Sequence, residues 1–388
     1  MHKNSRQTAT GGCPMHMRSG YYVRGDAEPC KPGNPLENPT DVPAPEALSP
    51  YCRIFEPKPT QPEDERLIAL GKTMRDDGSQ ASVNANIPAG YTYLGQFIDH
   101  DITAMDGAAD LTDTSPERVE NLQNMRTHTL DLDSVYQSPD SSISLREGDN
   151  MKIGVTTAFG GSTNFELPND LPRDDSKKAL IGDERNDENL AVAQTHLAFL
   201  KLHNRFVEQV GMNFDAARIA TIQHYQSMVI NDFLRRIISP GIFSKVFESS
   251  YTPDQAEKID CMPIEFAAAA FRFGHSMVRN RYEWNRIFRT GGELPPATLG
   301  QLFQFSGLSG DLAGLNTLPT NWIVDWRRLY DFGLGNQGPA VNMARKIDVK
   351  LALNLGELPG FPDSEDDLSN LSVRNLLRGK QMQLPTGQ

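Results

Sequence analysis

The run Tyr93-Leu-Gly-Gln-Phe-Ile-Asp-His-Asp-Ile-Thr103 sets three ionisable groups, Asp99, His100 and Asp101, inside an otherwise apolar stretch. Leu94, Phe97, Ile98 and Ile102 recur at spacings of three and four, so the run reads as a helix with one apolar stripe. On that helix Gln96 and His100 are four apart and share a face, with Asp99 beside them. Asp101 is turned about 100° away from His100. The helix therefore points His100 and Asp101 at different surroundings. Taken alone, a short acidic run is also compatible with an exposed helix end carrying solvated charges.

Outward from this run the pattern stays helical. Residues 64–76 (DERLIALGKTMRD) place Leu67, Ile68, Leu70 and Met74 at helical spacing. DERNDENLAVAQTHLAFLKLHNRFVEQVG reads as one helix of about seven turns, stopped by Gly211. AARIATIQHYQSMVINDFLRRII and PIEFAAAAFRFGHSMVRNRYEW predict two more, and DLSNLSVRNLLRGKQMQLPTGQ begins another. No internal repeat and few alternating strand patterns are visible. The expected fold is mainly α, with long irregular loops and little β structure. Residues 1–60 are dense in Pro, Gly and polar residues and are read as an extended arm, leaving 61–388 as the main domain. Residues 104–180 have few periodic runs and read either as a binding loop system or as a poorly ordered segment.

The chain has 388 residues, of which 38% are apolar, enough for a sizeable core. Its 50 acidic against 38 basic residues give a net charge of −12. That balance argues against nucleic acid as a partner, because neutralising phosphates requires an excess of Lys and Arg. No run approaches a membrane span. Cys13, Cys30, Cys52 and Cys261 are scattered with no CxxC pair, so reduced, incidental thiols are expected. The N-terminal residues lack the apolar core of a secretory signal, which makes the cytoplasm the expected location, with leaderless export as the alternative.

Three further stretches can carry chemistry. In THTLDLDSVY (127–136), Thr127, Thr129, Asp131 and Asp133 offer oxygen at alternate positions, as a hard cation such as Ca²⁺ prefers. A polar turn before a strand-like SVY fits the same residues. In GDERNDEN (182–189), Arg185 and Glu188 are three apart and can face one site near a helix N-terminus, although a local ion pair with acidic capping is the simpler reading. In FRFGH (271–275), Gly274 lets a flat ligand approach and His275 is a reasonable axial metal ligand, while a lone His there is more often a core residue. His196 and His203 read as structural histidines.

Taken in order, GQFIDHD, THTLDLDSVY, GDERNDENLAVAQTHLAFLKLHNRF, FRFGH and SVRNLLRG resemble the animal-type haem peroxidase superfamily, and within it the bacterial branch. The resemblance runs from about Tyr51 to Gln388. It implies haem b and Ca²⁺ as cofactors, and hydrogen peroxide with small reducing substrates as partners. It makes His100 the distal histidine, Gln96 its neighbour over the haem, Arg185 the distal arginine, His275 the proximal iron ligand and Asn375 the acceptor that holds it. Asp101 would join Thr127, Thr129, Asp131 and Asp133 around calcium. Asp99 and Glu188 occupy the positions that form ester bonds to haem in mammalian members. Asn189 stands where myeloperoxidase has its third, methionine link, which argues against chloride oxidation. A fatty-acid dioxygenase of the same superfamily would need a tyrosine where Arg272 stands, and Arg272 is expected to meet a haem propionate instead. A non-catalytic haem-binding or adhesion protein is the reading from another class. Relatives usually continue past LPTGQ, so weakened haem retention is expected. Oligomeric state is not readable.

Overall fold

A computed structural model describes residues 49–385, apart from 59, 77–83, 106–110, 117–118, 138–143, 160–165, 248–260 and 362–366. Most of the arm read at 1–60, including Cys13 and Cys30, lies outside the described residues. Its last part enters the folded body: β1 (Ser49–Cys52) runs antiparallel to β3 (Gln123–Asn124) and parallel to the strand Met262–Pro263, with Tyr51 opposite Met262. α1 (Asp64–Thr73) follows, and then β2 (Asn84–Pro88), which pairs with Met343–Arg345 and delivers the chain into α2.

α2 spans Gly90–Ile102, as the apolar spacing predicts, but it is buried nearly all round rather than on one stripe. Only Gln96 and Asp99 escape full burial. Phe97 is fully buried, its ring stacked on Phe199 of α4 (Leu190–Arg205) at 4.7 Å and met edge-on by Tyr225 of α5 (Phe214–Met228). A side chain so enclosed contributes about 3–5 kcal/mol, judged by what truncation to Ala costs in cores. This packing fixes the rotation of α2 about its axis, and with it where Gln96, Asp99, His100 and Asp101 point.

The remaining helices form with interruptions that periodicity does not reveal. The long helix expected from Asp183 begins as a 3₁₀ turn (Glu184–Asp187), restarts as α4 with Asn189 capping the Val192 amide, and ends in a π turn (Phe206–Val210). The segment expected to be helical over 263–284 is a strand, a π turn (Phe266–Ala270), a 3₁₀ run (Phe271–Met277) and a second strand (Arg281–Tyr282). Single π turns widen a helix and reset its side-chain register, and here the reset lies immediately before His275. The helix Leu371–Gln381, capped by Asn370, closes this side. The architecture is thus mainly helical with short strands.

The expectation of reduced, incidental thiols is overturned for Cys52 and Cys261. Cys52 and Cys261 form a disulfide, with Cα atoms 5.7 Å apart at a sequence separation of 209. Nothing in the spacing announces the pair. Adjacent parallel strands bring the two residues together. Closing so long a loop stabilises a fold by about 2–5 kcal/mol in the chain-entropy account.

Candidate functional site

The turn Asp183–Asn189 lies beside α2 and carries three of the predicted residues. Asp183 caps it, accepting from the Arg185 amide at 2.9 Å. In a 3₁₀ turn residues three apart eclipse, so Arg185 and Glu188 face the same way while Asn186 is turned toward α4. The turn is held from outside by Arg173, whose guanidinium bridges Asp170 and Asp187 in a buried ion-pair pair. Gly182 lets it sit close: a Cβ there would lie 2.4 Å from the Ser134 carbonyl oxygen, so only glycine allows the approach.

His100 is buried, with Nδ1 2.9 Å from Asn186 Oδ1 and Nε2 3.6 Å from Glu188 Oε1. A carbonyl only accepts, so the ring proton sits on Nδ1 and Nε2 keeps its lone pair. Burial first, and then the nearby Arg185 charge, push the His100 pKa down to about 3, which keeps the imidazole neutral at ordinary pH. Arg185 donates to both oxygens of Asp183 and, from Nη2, to the His100 carbonyl at 3.0 Å. Asp183 also takes two bonds from Arg126, and although burial opposes its charge, the two guanidiniums hold its carboxyl well below the usual range. Gln96 donates to Glu188 and accepts from Asn189 at 3.0 Å. Burial pushes Glu188 up to about 7 against the pull of Arg185, and raises Asp99 against Arg272 and Arg185. Asp99 accepts from Thr103 Oγ1 at 3.0 Å.

On the other wall, His275 Nδ1 lies 3.0 Å from Asn375 Nδ2, and Asn375 Oδ1 accepts from Arg272 Nη1 at 3.2 Å. This amide faces opposite to expectation, which had its oxygen on the imidazole. The reason is chemical: a guanidinium has no acceptor, so it claims the amide oxygen. Holding a metal through Nε2 calls for a proton on Nδ1 facing the carbonyl, a half-turn of one amide. Burial and then Arg272 push the His275 pKa down to about 3, so the ring is neutral at ordinary pH. Arg272 otherwise donates to the Ala267 carbonyl at 3.2 Å. The two walls are neighbours, since the phenol of buried Tyr51 lies in the field of Asp99, Arg185 and Arg272 together.

Behind α2, Asp101, Asp131 and Asp133 each offer an oxygen within 4.8 Å of the others. Thr127 and Thr129 hydroxyls donate to Asp131 at 2.8 and 3.0 Å, and the Thr127 amide donates to Asp133 at 2.9 Å. Leu132 adopts φ +57°, which turns the amides of Leu132 and Ser134 onto Asp101. The expected strand at Ser134–Tyr136 is the short helix α3 (Asp133–Tyr136). Burial raises the pKa of all three carboxyls, and repulsion from neighbouring carboxylates adds to the rise at Asp101 and Asp133. Asp133 Oδ1 is buried with no hydrogen-bond partner. Three crowded carboxyls with an unbonded oxygen fit a hard divalent cation.

Sequence reasoning missed Asp183, Asn186 and the role of His196. An aspartate two residues before an arginine at a helix start is a usable signal for the first, whereas the other two depend on how α4 lies against the turn. The predicted residues therefore fall into three groups: Gln96, Asp99, His100, Arg185 and Glu188 where α2 meets the turn, Arg272, His275 and Asn375 beside it, and Asp101 with the 127–133 loop behind α2.

The family model for animal haem peroxidase matches residues 108–303, a span that holds Arg185, Glu188, Arg272, His275 and the 127–133 loop. Heme peroxidase 2 of Caenorhabditis elegans is 24% identical over 341 residues, covering 69% of this chain and 46% of that protein. The chain spans less than half the length of the curated relatives it matches. Among solved structures, peroxidase A from Dictyostelium discoideum superposes with a TM-score of 0.61 at 20% identity, covering 91% of this chain and 75% of that one. A fatty acid alpha-dioxygenase from Oryza sativa gives 0.57 at 12% identity, covering 88% and 64%. At these identities the two structures establish a shared fold.

Proposed function

Because the chain belongs to the animal haem peroxidase family, we propose that it reduces hydrogen peroxide at a bound haem, using small one-electron donors or bromide, iodide or thiocyanate in preference to chloride. The family implies haem binding, and the observation that carries the reading is a buried, neutral His100 with an unprotonated Nε2, set beside Arg185. Haem would be held by His275 Nε2, with Arg272 near a propionate and Asp99 and Glu188 at the edge where ester bonds form. Bound there, it supplies the redox chemistry of the reaction.

The protein's own residues manage a proton and a charge. His100 Nε2 takes a proton from one peroxide oxygen and returns it to the other as the O–O bond parts and water leaves. Arg185, always cationic, stabilises negative charge gathering on the departing oxygen. Asp183 and Arg126 keep that guanidinium oriented, and Gln96 with Asn189 holds Glu188 in place. The 127–133 loop would take Ca²⁺ through Asp101, Asp131, Asp133 and the threonines, and so brace α2 from behind.

The haem-loaded chain is expected to turn over peroxide with guaiacol or bromide, and to keep haem attached after denaturation when examined by mass spectrometry. A normal Soret band without turnover would leave a non-catalytic haem protein. Haem lost on denaturation would remove the ester bonds but not the activity.

The disulfide also bears on location, favouring the export alternative, because such links persist in oxidising compartments. Thiol alkylation of protein taken directly from its native cells should find Cys52 and Cys261 protected. Both residues alkylated in intact cytoplasm would restore the cytoplasmic expectation.

A further inference from the structure

His100 is fully engaged on its inner side by a single side-chain amide. Asn186 Oδ1 accepts from its Nδ1 at 2.9 Å, and Asn186 Nδ2 lies 3.0 Å from Nδ1 of His196, a residue of α4 with no exposure at all. The amide has one acceptor end and one donor end, so the two imidazoles are set in opposite senses. With the amide oxygen on His100, the proton of that ring is on Nδ1 and its Nε2 is bare. With the amide nitrogen on His196, the proton of that ring is on Nε2. His196 Nε2 is buried and has no hydrogen-bond partner. An orphaned buried polar atom costs stability. Its presence is hard to explain by packing alone, since an apolar side chain of similar shape beside Phe97 would avoid the cost.

We propose that Asn186, locked by His196, is a positioning residue that keeps the His100 proton on Nδ1, so that Nε2 always presents a lone pair to peroxide. This rests on the peroxidase reading for its consequence but not for its geometry. Asn186 is suited to the task because the capped 3₁₀ turn turns it away from Arg185 and Glu188, and because the Asn186 amide itself is tied to the Asp183 carbonyl at 3.0 Å. Without the amide, His100 could place its proton on Nε2, where the nearest acceptor is Glu188 Oε1 at 3.6 Å, and the lone pair would be lost to the inner side.

The experiment combines ring ¹⁵N NMR with rapid-mixing kinetics on the haem-loaded chain, the NMR on its reduced, carbon monoxide-bound form, which is diamagnetic. His100 is assigned by its absence from the His100→Gln variant. The parent should show the His100 proton on Nδ1. Asn186→Leu should show a mixture of tautomers and react with hydrogen peroxide about 10–100-fold more slowly, in line with losses at other residues that orient a reacting group. Asn186→Asp, whose carboxylate still accepts from Nδ1, should stay within a few-fold of the parent. A parental proton on Nε2, an Asn186→Leu protein with parental tautomer and rate, or an Asn186→Asp protein as slow as the leucine variant would each overturn the proposal. Should Asn186→Leu fail to fold, the parental tautomer and the aspartate variant still decide. A parent without turnover but with the proton on Nδ1 would sink the peroxidase reading and leave the positioning role standing.

Discussion

His100→Ala is expected to slow the reaction with hydrogen peroxide by about 10²–10⁴-fold, the usual contribution of a positioned acid–base group. Haem should remain bound, because nothing in its retention is assigned to His100. The size follows from burial and neighbours. His100 is 5% exposed, so no bulk water can stand in as base without rearrangement, and that burial, helped by Arg185 beside it, keeps the imidazole unprotonated well into acid. Stopped-flow mixing at several peroxide concentrations gives the second-order constant directly. A variant that keeps its Soret band and reacts within tenfold of the parent would show that the proton goes elsewhere. Glu188, pushed up to about 7 by burial and 3.6 Å from Nε2, is the group that would then be tested next.

The second large effect concerns the carboxyl cluster behind α2. Removing Ca²⁺ with a chelator is expected to cost about 3 kcal/mol if the site is normally filled at a hundred times its Kd. For a chain of this length that is a fall in Tm of roughly 3–5 °C. Asp133→Asn should abolish the response to Ca²⁺. In chelator the same variant should be no less stable than the parent, because relief from the neighbouring Asp101 and Asp131 carboxyls outweighs the loss of its 3.7 Å ion pair with Arg126. That reversal separates a cation site from an ordinary hydrogen-bonded carboxyl, whose loss is destabilising under both conditions. Thermal melts of the two proteins with Ca²⁺ and with chelator give all four values. An Asp133→Asn protein equally destabilised in both would remove the cation.

Much of this arrangement is legible in the residues themselves. The spacing of Leu94, Phe97, Ile98 and Ile102 predicts α2, and its geometry alone sends His100 and Asp101 to different surroundings. The alternation of oxygen-bearing residues from Thr127 to Asp133 marks the loop that Asp101 meets. Other features are invisible for physical reasons. Ala267–Ala270 has high helix propensity, and nothing in an alanine run distinguishes an α turn from a π turn, so the reset before His275 is set by tertiary packing. Asn186 sits among acidic residues and looks like one more polar position; its partner His196 is ten residues on, across a break between 3₁₀ and α geometry. The orientation of the Asn375 amide depends on Arg272, a contact made across 103 residues of sequence. The Cys52–Cys261 pair depends on strand order, which no local pattern carries.

That last link divides the chain as a covalent graph. The bond between Cys52 and Cys261 makes a ring that contains α2, the 127–133 loop and the turn bearing Arg185, while His275 and Asn375 lie on the tail beyond it. A single peptide cut anywhere in the ring opens it without releasing a fragment, so the wall with His100 stays tethered to the wall with His275. A cut between residues 275 and 375 has no such safeguard and would separate Asn375, with everything after it, from the covalent chain that carries His275. The molecule is therefore built with unequal tolerance to proteolysis: its distal half can be nicked and remain one molecule, and its proximal half cannot.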